Sequence, residues 1–104
     1  MTEQDIMNSI RLKLSEIGFA VFRANVGKIK LSDGRWFDTG LPKGFSDLFA
    51  VKDGKIYFIE VKKPGGKIRP EQTTFIETMK NRYGCKAGIV HSVEEAISLV
   101  SDGY

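Results

Sequence analysis

The dipeptide Asp53-Gly54 lies between two runs, residues 46–52 and 55–62, that are rich in aromatic and β-branched side chains. Asp-Gly readily adopts the two positive φ angles of a type I′ turn, so the stretch is predicted to form a tight β-hairpin. A two-residue loop also fixes the register of the strands, in which Lys52 faces Lys55. The rest of the chain has to be arranged around this hairpin.

The same register places Asp47 opposite Glu60, as a non-hydrogen-bonded pair with Cα atoms about 4.5 Å apart. Because side chains alternate along a strand, Glu60 shares its face with Phe58 and Lys62. Facing carboxylates repel each other unless a proton or a cation lies between them, and a hard divalent cation would suffice. The pattern is equally consistent with a strand end that emerges into solvent, with Glu60 and Lys62 as an exposed ion pair.

The N-terminal segment has helical periodicity over about residues 3–17. Its apolar positions are Ile6, Ile10, Leu14 and Ile17, and Thr2 with Asp5 forms a possible N-terminal capping arrangement. Glu3, one turn before the first apolar residue, could favour the helix N-terminus electrostatically or reach a metal ion. The residues alone favour the first role, and Asp5 is the alternative carboxylate if the helix register shifts.

Residues 19–23 are predicted to form a strand, and a second, more exposed hairpin follows, with strands over 28–31 and 36–40 that turn near Asp33-Gly34. Its charged and aromatic residues could bind phosphates and stack on a base; they are Lys28, Lys30, Arg35 and Trp36. Alternatively, the lysines protect a sheet edge while Trp36 packs inward. The residues favour inward packing of Trp36, because a lone aromatic residue is more often part of a core.

The second half predicts a helix from Pro70, a strand over 85–90 and a last helix opened by the capping box Ser92-x-x-Glu95. A strand, a helix and a strand in succession imply that the last strand runs parallel to residues 56–62. The predicted fold class is therefore α/β, a small mixed sheet flanked by helices in the order αβββαβα. Gln72 either satisfies local backbone groups, which the residues favour, or points into a site.

Positive charge is concentrated in the middle of the chain. Residues 23–69 contain eleven Lys and Arg against five Asp and Glu, and the flanks are net acidic. Lys63, Lys67 and Arg69 precede a helix N-terminus, an arrangement that suits a phosphate. Lys43 is in the same basic region, and the missing side chain of Gly44 would let DNA approach closely.

The composition restricts the number of domains, the kinds of metal site and the cellular location that the chain can have. At 104 residues, 41% of them hydrophobic and 28% charged, the chain is predicted to be one domain spanning residues 1–104. The single cysteine, Cys85, excludes an internal disulfide and a cysteine-cluster zinc site and is predicted to be a core residue. No membrane span or signal-like start is present, so a cytoplasmic location is expected. His91 is interpreted as structural or solvated, and no Ser-His-Asp relay is evident.

Asp47, twelve intervening residues and Glu60-Val61-Lys62 together resemble the PD-(D/E)xK signature of restriction-endonuclease-like nucleases. The chain more narrowly resembles a stand-alone virus-type replication-repair nuclease (VRR-NUC) domain. The matching residues are Glu3, Gly44-x-x-Asp47, Glu60-x-Lys62 and Gln72, and the resemblance covers nearly the whole chain. Ser46 departs from the superfamily pattern, which often has proline before the Asp, although that residue supplies no ligand.

This resemblance implies a restriction-endonuclease-like core and a DNA endonuclease that uses Mg²⁺ or Mn²⁺. The metal ligands would be Asp47, Glu60 and the backbone carbonyl of Val61; Lys62 would act on the attacking water or the transition state, and Glu3 and Gln72 would complete the pocket. It further implies a homodimer acting on branched DNA such as four-way junctions, in phage-type replication, repair or recombination, and in the host cytosol if phage-encoded. A non-catalytic DNA-binding or assembly module and an RNA nuclease remain alternatives.

Overall fold

The computed structural model describes residues 1–102, so the last two positions of the predicted domain lie outside the described residues. Within that range the helices are α1 (Glu3–Glu16), α2 (Pro70–Asn81) and α3 (Val93–Ser101). The strands are β1 (Ala20–Arg23), β2 (Lys28–Lys30), β3 (Trp36–Asp38), β4 (Leu48–Lys52), β5 (Lys55–Val61) and β6 (Lys86–Val90). None of the helices in this range is long and apolar enough to cross a membrane.

The main sheet has the strand order β1-β4-β5-β6. Its first two pairings are antiparallel, and β5 pairs with β6 in parallel across the α2 crossover. These strands and the three helices follow one another in the predicted order αβββαβα. Strands β2 and β3 form a separate two-stranded sheet, inserted between β1 and β4. The predicted mixed α/β fold is confirmed.

The central hairpin turns at Asp53-Gly54, where the φ angles are 53° and 75°. Lys52 faces Lys55, and the ladder continues in the same register until Leu48 faces Ile59. Positive φ at both loop residues is the condition for a type I′ turn. The register predicted from this dipeptide is therefore confirmed along the whole of β4.

Helices cover both faces of the main sheet. Helices α1 and α3 pack on one face, against Leu48, Ile59 and Val61, in a cluster that also contains Ile10 and Leu14 of α1. Helix α2 packs on the other face, where Phe58 lies in a second cluster with aromatic and aliphatic neighbours. Because side chains alternate along β5, Glu60 lies on the same face as Phe58, beneath the first turn of α2.

The prediction that Trp36 packs inward is wrong. The side chain is 65% exposed, and the neighbouring Phe37 is 54% exposed. All six residues of β2 and β3 are exposed, because the second hairpin forms its own sheet instead of extending the main one. Cys85 is half-buried and packs against the cluster around Phe58, near its predicted place in the core.

The capping box predicted for α3 is only half formed. Ser92 Oγ accepts from the backbone N–H of Glu95 over 3.1 Å, as a cap should. The Glu95 carboxylate, however, accepts from the backbone N–H of His91 and contacts His91 Nδ1, both over 3.1 Å. His91 contacts this carboxylate through both its backbone N–H and its imidazole, so the carboxylate does not complete the capping box at Ser92. His91 thereby has a structural role.

Candidate active site

Asp47 directly precedes β4, at the point where regular pairing with β5 ends. Its Oδ2 accepts from the backbone N–H of Val61 over 2.9 Å, and its own carbonyl accepts from Ala24 over 2.9 Å. Continued pairing would have brought Ser46 opposite Val61, but Ser46 is fully buried and its hydroxyl donates to the carbonyl of Leu48 over 2.8 Å. The Asp47 carboxylate therefore takes the place of a backbone acceptor and is held at the end of β5.

Glu60 lies in the body of β5 and is 1% exposed. Its Oε2 accepts from Nε2 of Gln72 over 3.1 Å and lies 3.9 Å from Nζ of Lys62. Its Oε1 is buried and has no hydrogen-bond partner among the described residues. A buried oxygen without a donor is costly, so this atom indicates that a proton or a cation belongs beside it.

The pKa of Glu60 is raised to about 8, mainly by burial and further by the hydrogen bond and the negative charge of the neighbouring Asp47. Lys62 acts on this pKa in the opposite direction, because its positive charge favours the carboxylate form. A carboxyl group with such a pKa remains largely protonated at pH 7. Without a metal ion, Glu60 is therefore largely protonated at pH 7.

Lys62 is also buried, with its side chain 8% exposed. Its backbone N–H donates to the carbonyl of Val90 over 3.0 Å, which keeps the end of β5 attached to β6. The interpretation of Glu60 and Lys62 as an exposed ion pair at a strand end is therefore wrong. Glu60 in β5 and Lys62 directly after it are both withdrawn from water.

Gln72 fulfils both roles that the sequence left open. Its Oε1 accepts from the backbone N–H of Arg69 over 2.9 Å, and its Nε2 donates to Glu60. The side chain is 7% exposed. One amide thus closes the N-terminus of α2 and fixes the Glu60 carboxyl, because the amide oxygen and nitrogen point in different directions.

Glu3 lies near this end of β5 but has a different partner. Its Oε2 accepts from the backbone N–H of Lys63 over 3.2 Å, so it ties α1 to the loop that follows Lys62. In residues 1–102 no group of three or more Asp, Glu, His or Cys side chains is arranged to hold a metal ion. Glu3 therefore does not join Asp47 and Glu60 in such a cluster, and Asp5, the alternative, is exposed and caps α1 through Thr2.

A cavity of about 420 Å³ opens beside Asp47 and Gln72. Its other walls come from three segments, and the residues are Val26, Gly27, Lys43, Gly44, Phe45, Arg69 and Glu71. Val26, Gly27 and Glu71 had no signal in the sequence, because only the packing of distant segments brings them here. A phosphate entering this cavity would lie among Asp47 and the cationic side chains of Lys43 and Arg69, which all line it.

Gly44 makes a close contact inside the protein that the sequence did not predict. Gly44 is buried and has a φ of +94°, and a Cβ built on it would lie 2.4 Å from the carbonyl oxygen of Glu71. The close approach that this glycine permits in the structure is made by the first turn of α2, while Gly44 also lines the cavity. Gly44 therefore sets the distance between α2 and the segment leading to Asp47.

The other predicted nucleic-acid contacts are all exposed and fall into three groups. Lys28, Lys30 and Arg35 lie on the second hairpin, Lys63 and Lys67 in the loop after β5, and Lys43 and Arg69 at the cavity. Two of them are partly neutralised: Arg35 pairs with Asp33 over 2.7 Å and Lys43 lies 3.8 Å from Glu71. Among the residues that line the cavity, Lys43 and Arg69 balance Asp47 and Glu71, so the excess positive charge lies beside the cavity, on the loop with Lys63 and Lys67. A polyanion would be attracted to that loop.

A model of the VRR-NUC domain matches residues 11–94, a range that contains Asp47, Glu60, Lys62 and Gln72. The chain belongs to the VRR-NUC domain family. A solved structure described as a VRR_NUC domain is similar over 100% of both chains, with a TM-score of 0.67 and 25% sequence identity. Among curated proteins the chain has no match.

Membership of the VRR-NUC family implies a nuclease-type function and binding to DNA. Nuclease domains of this family generally use divalent metal ions. The matched range begins after Glu3, so the family match covers the carboxylate pair, the lysine and the glutamine but not the N-terminal carboxylate.

Proposed function

We propose that this protein is a divalent-metal-dependent endonuclease that hydrolyses phosphodiester bonds in DNA. The observation that carries the proposal is the carboxylate pair of half-buried Asp47 and fully buried Glu60, with an unpartnered oxygen on Glu60 and buried Lys62 beside it. Burying Glu60 and Lys62 beside a second carboxylate costs stability, and such groups cluster where chemistry needs them. The VRR-NUC family membership points in the same direction.

The donor set fits a hard divalent cation. Carboxylate and carbonyl oxygens are the ligands that Mg²⁺ and Mn²⁺ prefer, and we assign Asp47, Glu60 and the backbone carbonyl of Val61 to this role. The unpartnered Oε1 of Glu60 supports the assignment, because a cation would satisfy it. When bound, such an ion neutralises phosphate charge and lowers the pKa of a coordinated water.

The chain's own residues provide orientation and charge. Gln72 holds the Glu60 carboxyl, and the N–H of Val61 holds Asp47, so neither carboxylate rotates freely. Lys62 brings a positive charge into a site from which water is largely withdrawn. Its electrostatic interactions are stronger there than they would be at the surface. We assign Lys62 to orienting the attacking water or to stabilising negative charge on the phosphate in the transition state. Glu3 acts indirectly, by fixing the backbone after Lys62.

We further propose that the substrate is branched DNA such as a four-way junction and that the active form is a homodimer. Each chain carries one carboxylate pair and cuts one strand, so symmetric cutting of two strands requires two chains. The exposed cationic residues near the cavity supply phosphate contacts. In this proposal all 104 residues form one PD-(D/E)xK-type nuclease domain that works in the cytoplasm, in phage-type replication, repair or recombination.

The test is incubation with four-way-junction, plasmid and linear duplex DNA, and with an RNA of matched sequence, in Mg²⁺, Mn²⁺ or EDTA. We expect metal-dependent cleavage, strongest on the junction, and its loss in Asp47→Ala and Lys62→Ala. Removing one ligand costs several kcal/mol of transition-state stabilisation, which corresponds to at least about a hundredfold in rate. Binding without cleavage under every metal condition would support a non-catalytic module, and preferential cutting of RNA would reassign the substrate.

A further inference from the structure

The second hairpin, residues 28–38, forms an arm whose base is at the site. Val26 and Gly27 line the cavity beside Asp47, and the N–H of Thr39 donates to the carbonyl of Gly27 over 2.9 Å. From there both strands run outward with every residue exposed. The arm therefore begins at the edge of the cavity and presents its side chains to whatever occupies the adjoining space.

The tip of the arm is well ordered by its own hydrogen bonds. Asp33 accepts from the backbone N–H and from Nε of Arg35, over 3.0 and 2.7 Å. The N–H of Leu31 donates to the carbonyl of Arg35 over 2.7 Å, and Gly34 donates back to Leu31 over 2.9 Å. A short hairpin closed in this way is organised before it binds anything, which lowers the entropy cost of binding.

The two faces of the arm differ in character. Lys30 pairs with Trp36 and Lys28 with Asp38 on one face, and alternation puts Ile29 and Phe37 on the other. On the first face Nζ of Lys30 lies 6.0 Å from the centre of the Trp36 ring, while the indole is 65% exposed. Lys28 is offset by Asp38, so the free positive charge of this face is concentrated beside the indole.

We propose that Trp36 stacks on an unpaired base of the DNA substrate while Lys30 contacts a neighbouring phosphate. An exposed indole and an adjacent ammonium match the two parts of a nucleotide, the flat base and the anionic phosphate. A second protein chain could pack against the indole, but it would also have to remove water from the Lys30 ammonium without supplying the negative charge of a phosphate. The charge on this face therefore favours DNA over a protein partner.

This inference specifies the substrate of the proposed nuclease and rests on that proposed function. Bases inside a duplex are already stacked on their neighbours, so only a single-stranded segment, a frayed end or a branch point offers a free base to Trp36. The Lys30–Trp36 pair lies three residues beyond Gly27, roughly 10 Å at 3.3 Å per strand residue. That is the length of roughly three stacked nucleotides, so the arm would sense unpaired DNA close to the cut.

Trp36 is the one tryptophan in the sequence, so tryptophan fluorescence reports on this side chain alone. The full chain is titrated in EDTA, which prevents metal-dependent cutting, with a single-stranded oligonucleotide, a junction with unpaired bases at its centre and a blunt duplex. Binding is followed independently by the anisotropy of a label on the DNA. We expect the first two to quench the fluorescence at saturation and the duplex to leave it nearly unchanged.

Two variants complete the test. Trp36→Leu should weaken binding of the single strand about tenfold, as expected for loss of one stacked base, and leave duplex binding unchanged. Phe37→Leu, at the next position but on the opposite face, should leave both affinities and the quenching as they are. Because Trp36 is exposed, circular dichroism should show that both variants keep the fold.

Saturating binding without quenching, equal quenching by the duplex, or unchanged single-strand affinity in Trp36→Leu would each overturn the stacking proposal. A fluorescence change that follows protein concentration without DNA would overturn it in favour of an interface between copies of the chain. The two proposals fail separately. Selective quenching together with no cleavage in Mg²⁺ or Mn²⁺ supports the stacking proposal and refutes the nuclease proposal. Metal-dependent cleavage without quenching supports the nuclease proposal and refutes stacking.

Discussion

The amide of Gln72 donates a 3.1 Å hydrogen bond to Glu60 Oε2, so the first turn of α2 holds a carboxyl group of β5 beneath it. The other end of the same amide is occupied by the N–H of Arg69. This leaves Gln72 no freedom to rotate and gives the site a rigid wall on the α2 side. The position of α2 and the chemistry of Glu60 are therefore coupled.

Replacing Gln72 with methionine should lower cleavage about 10- to 100-fold, the usual effect of losing a group that orients a metal ligand. It should also cost about 1–3 kcal/mol of stability, because Oε2 of Glu60 and the N–H of Arg69 both lose a partner. Steady-state cleavage rates and urea unfolding measure the two effects. Thr73→Ala, at the exposed neighbouring position of α2, is the matched control and should change neither quantity much.

The raised pKa of Glu60 predicts how the stability of the metal-free protein depends on pH. Between the usual carboxyl pKa of 4.5 and the folded value of about 8, the folded state binds a proton that the unfolded state has lost. The free energy of unfolding contributed by this group is therefore complete below pH 4.5 and falls as pH rises toward 8. The slope approaches about 1.4 kcal/mol per pH unit.

Urea unfolding in EDTA at several pH values from about 5 to 8 measures this slope. Glu60→Gln removes the titrating group and should flatten the profile, since an amide stays neutral throughout. Glu94→Gln, which changes an exposed glutamate of α3, should leave the slope as in the wild type. A steep profile that persists in Glu60→Gln would show that another group is responsible.

Metal binding should release a proton from the site. At pH 7 Glu60 holds a proton, which a divalent cation has to displace before this carboxylate can act as a ligand. The apparent affinity for Mg²⁺ or Mn²⁺ should therefore increase from pH 6 to 8, by up to about tenfold per pH unit. Calorimetric titration in buffers of different ionisation enthalpy counts the released protons directly. Asp47→Ala should abolish the metal-induced rise in melting temperature, and a rise equal to that of the wild type would place the ion elsewhere.

Gly44→Ala should be more destabilising than a glycine substitution at a comparable backbone conformation nearby. Gly40 has a φ of +81° with open space where a methyl group would lie, whereas the methyl group of Gly44→Ala would meet the Glu71 carbonyl at 2.4 Å. Gly40→Ala carries only the conformational cost of about 1–2 kcal/mol. Gly44→Ala should lose about 1–3 kcal/mol more, as α2 is pushed away from Asp47. Equal losses in urea unfolding would contradict the tight contact.

Local sequence signals determined much of this protein. Asp53-Gly54 set the register of β4 and β5, because a two-residue turn leaves one alignment for the strands that it joins. Alternation along β5 then put Glu60 and Lys62 on one face, and apolar periodicity indicated the helices. The turn brings Asp47 near Glu60, but the ladder ends at Leu48 and the hydrogen bond from the Val61 N–H holds the Asp47 carboxylate in place.

Contacts between distant segments decided the rest. The sequence carried no signal that packing would bury Glu60 and Lys62, and the burial of Glu60 is the main reason why its pKa rises to about 8. Gly44 fits against Glu71, Glu3 binds the backbone of Lys63, and Trp36 stands in solvent, each for reasons of long-range packing. Turn chemistry and side-chain periodicity act within a few residues, so they fix the register of paired strands and the face of the strand on which each side chain lies. Burial, and with it the electrostatics of the site, depends on which elements pack over that face, and only the tertiary structure decides this.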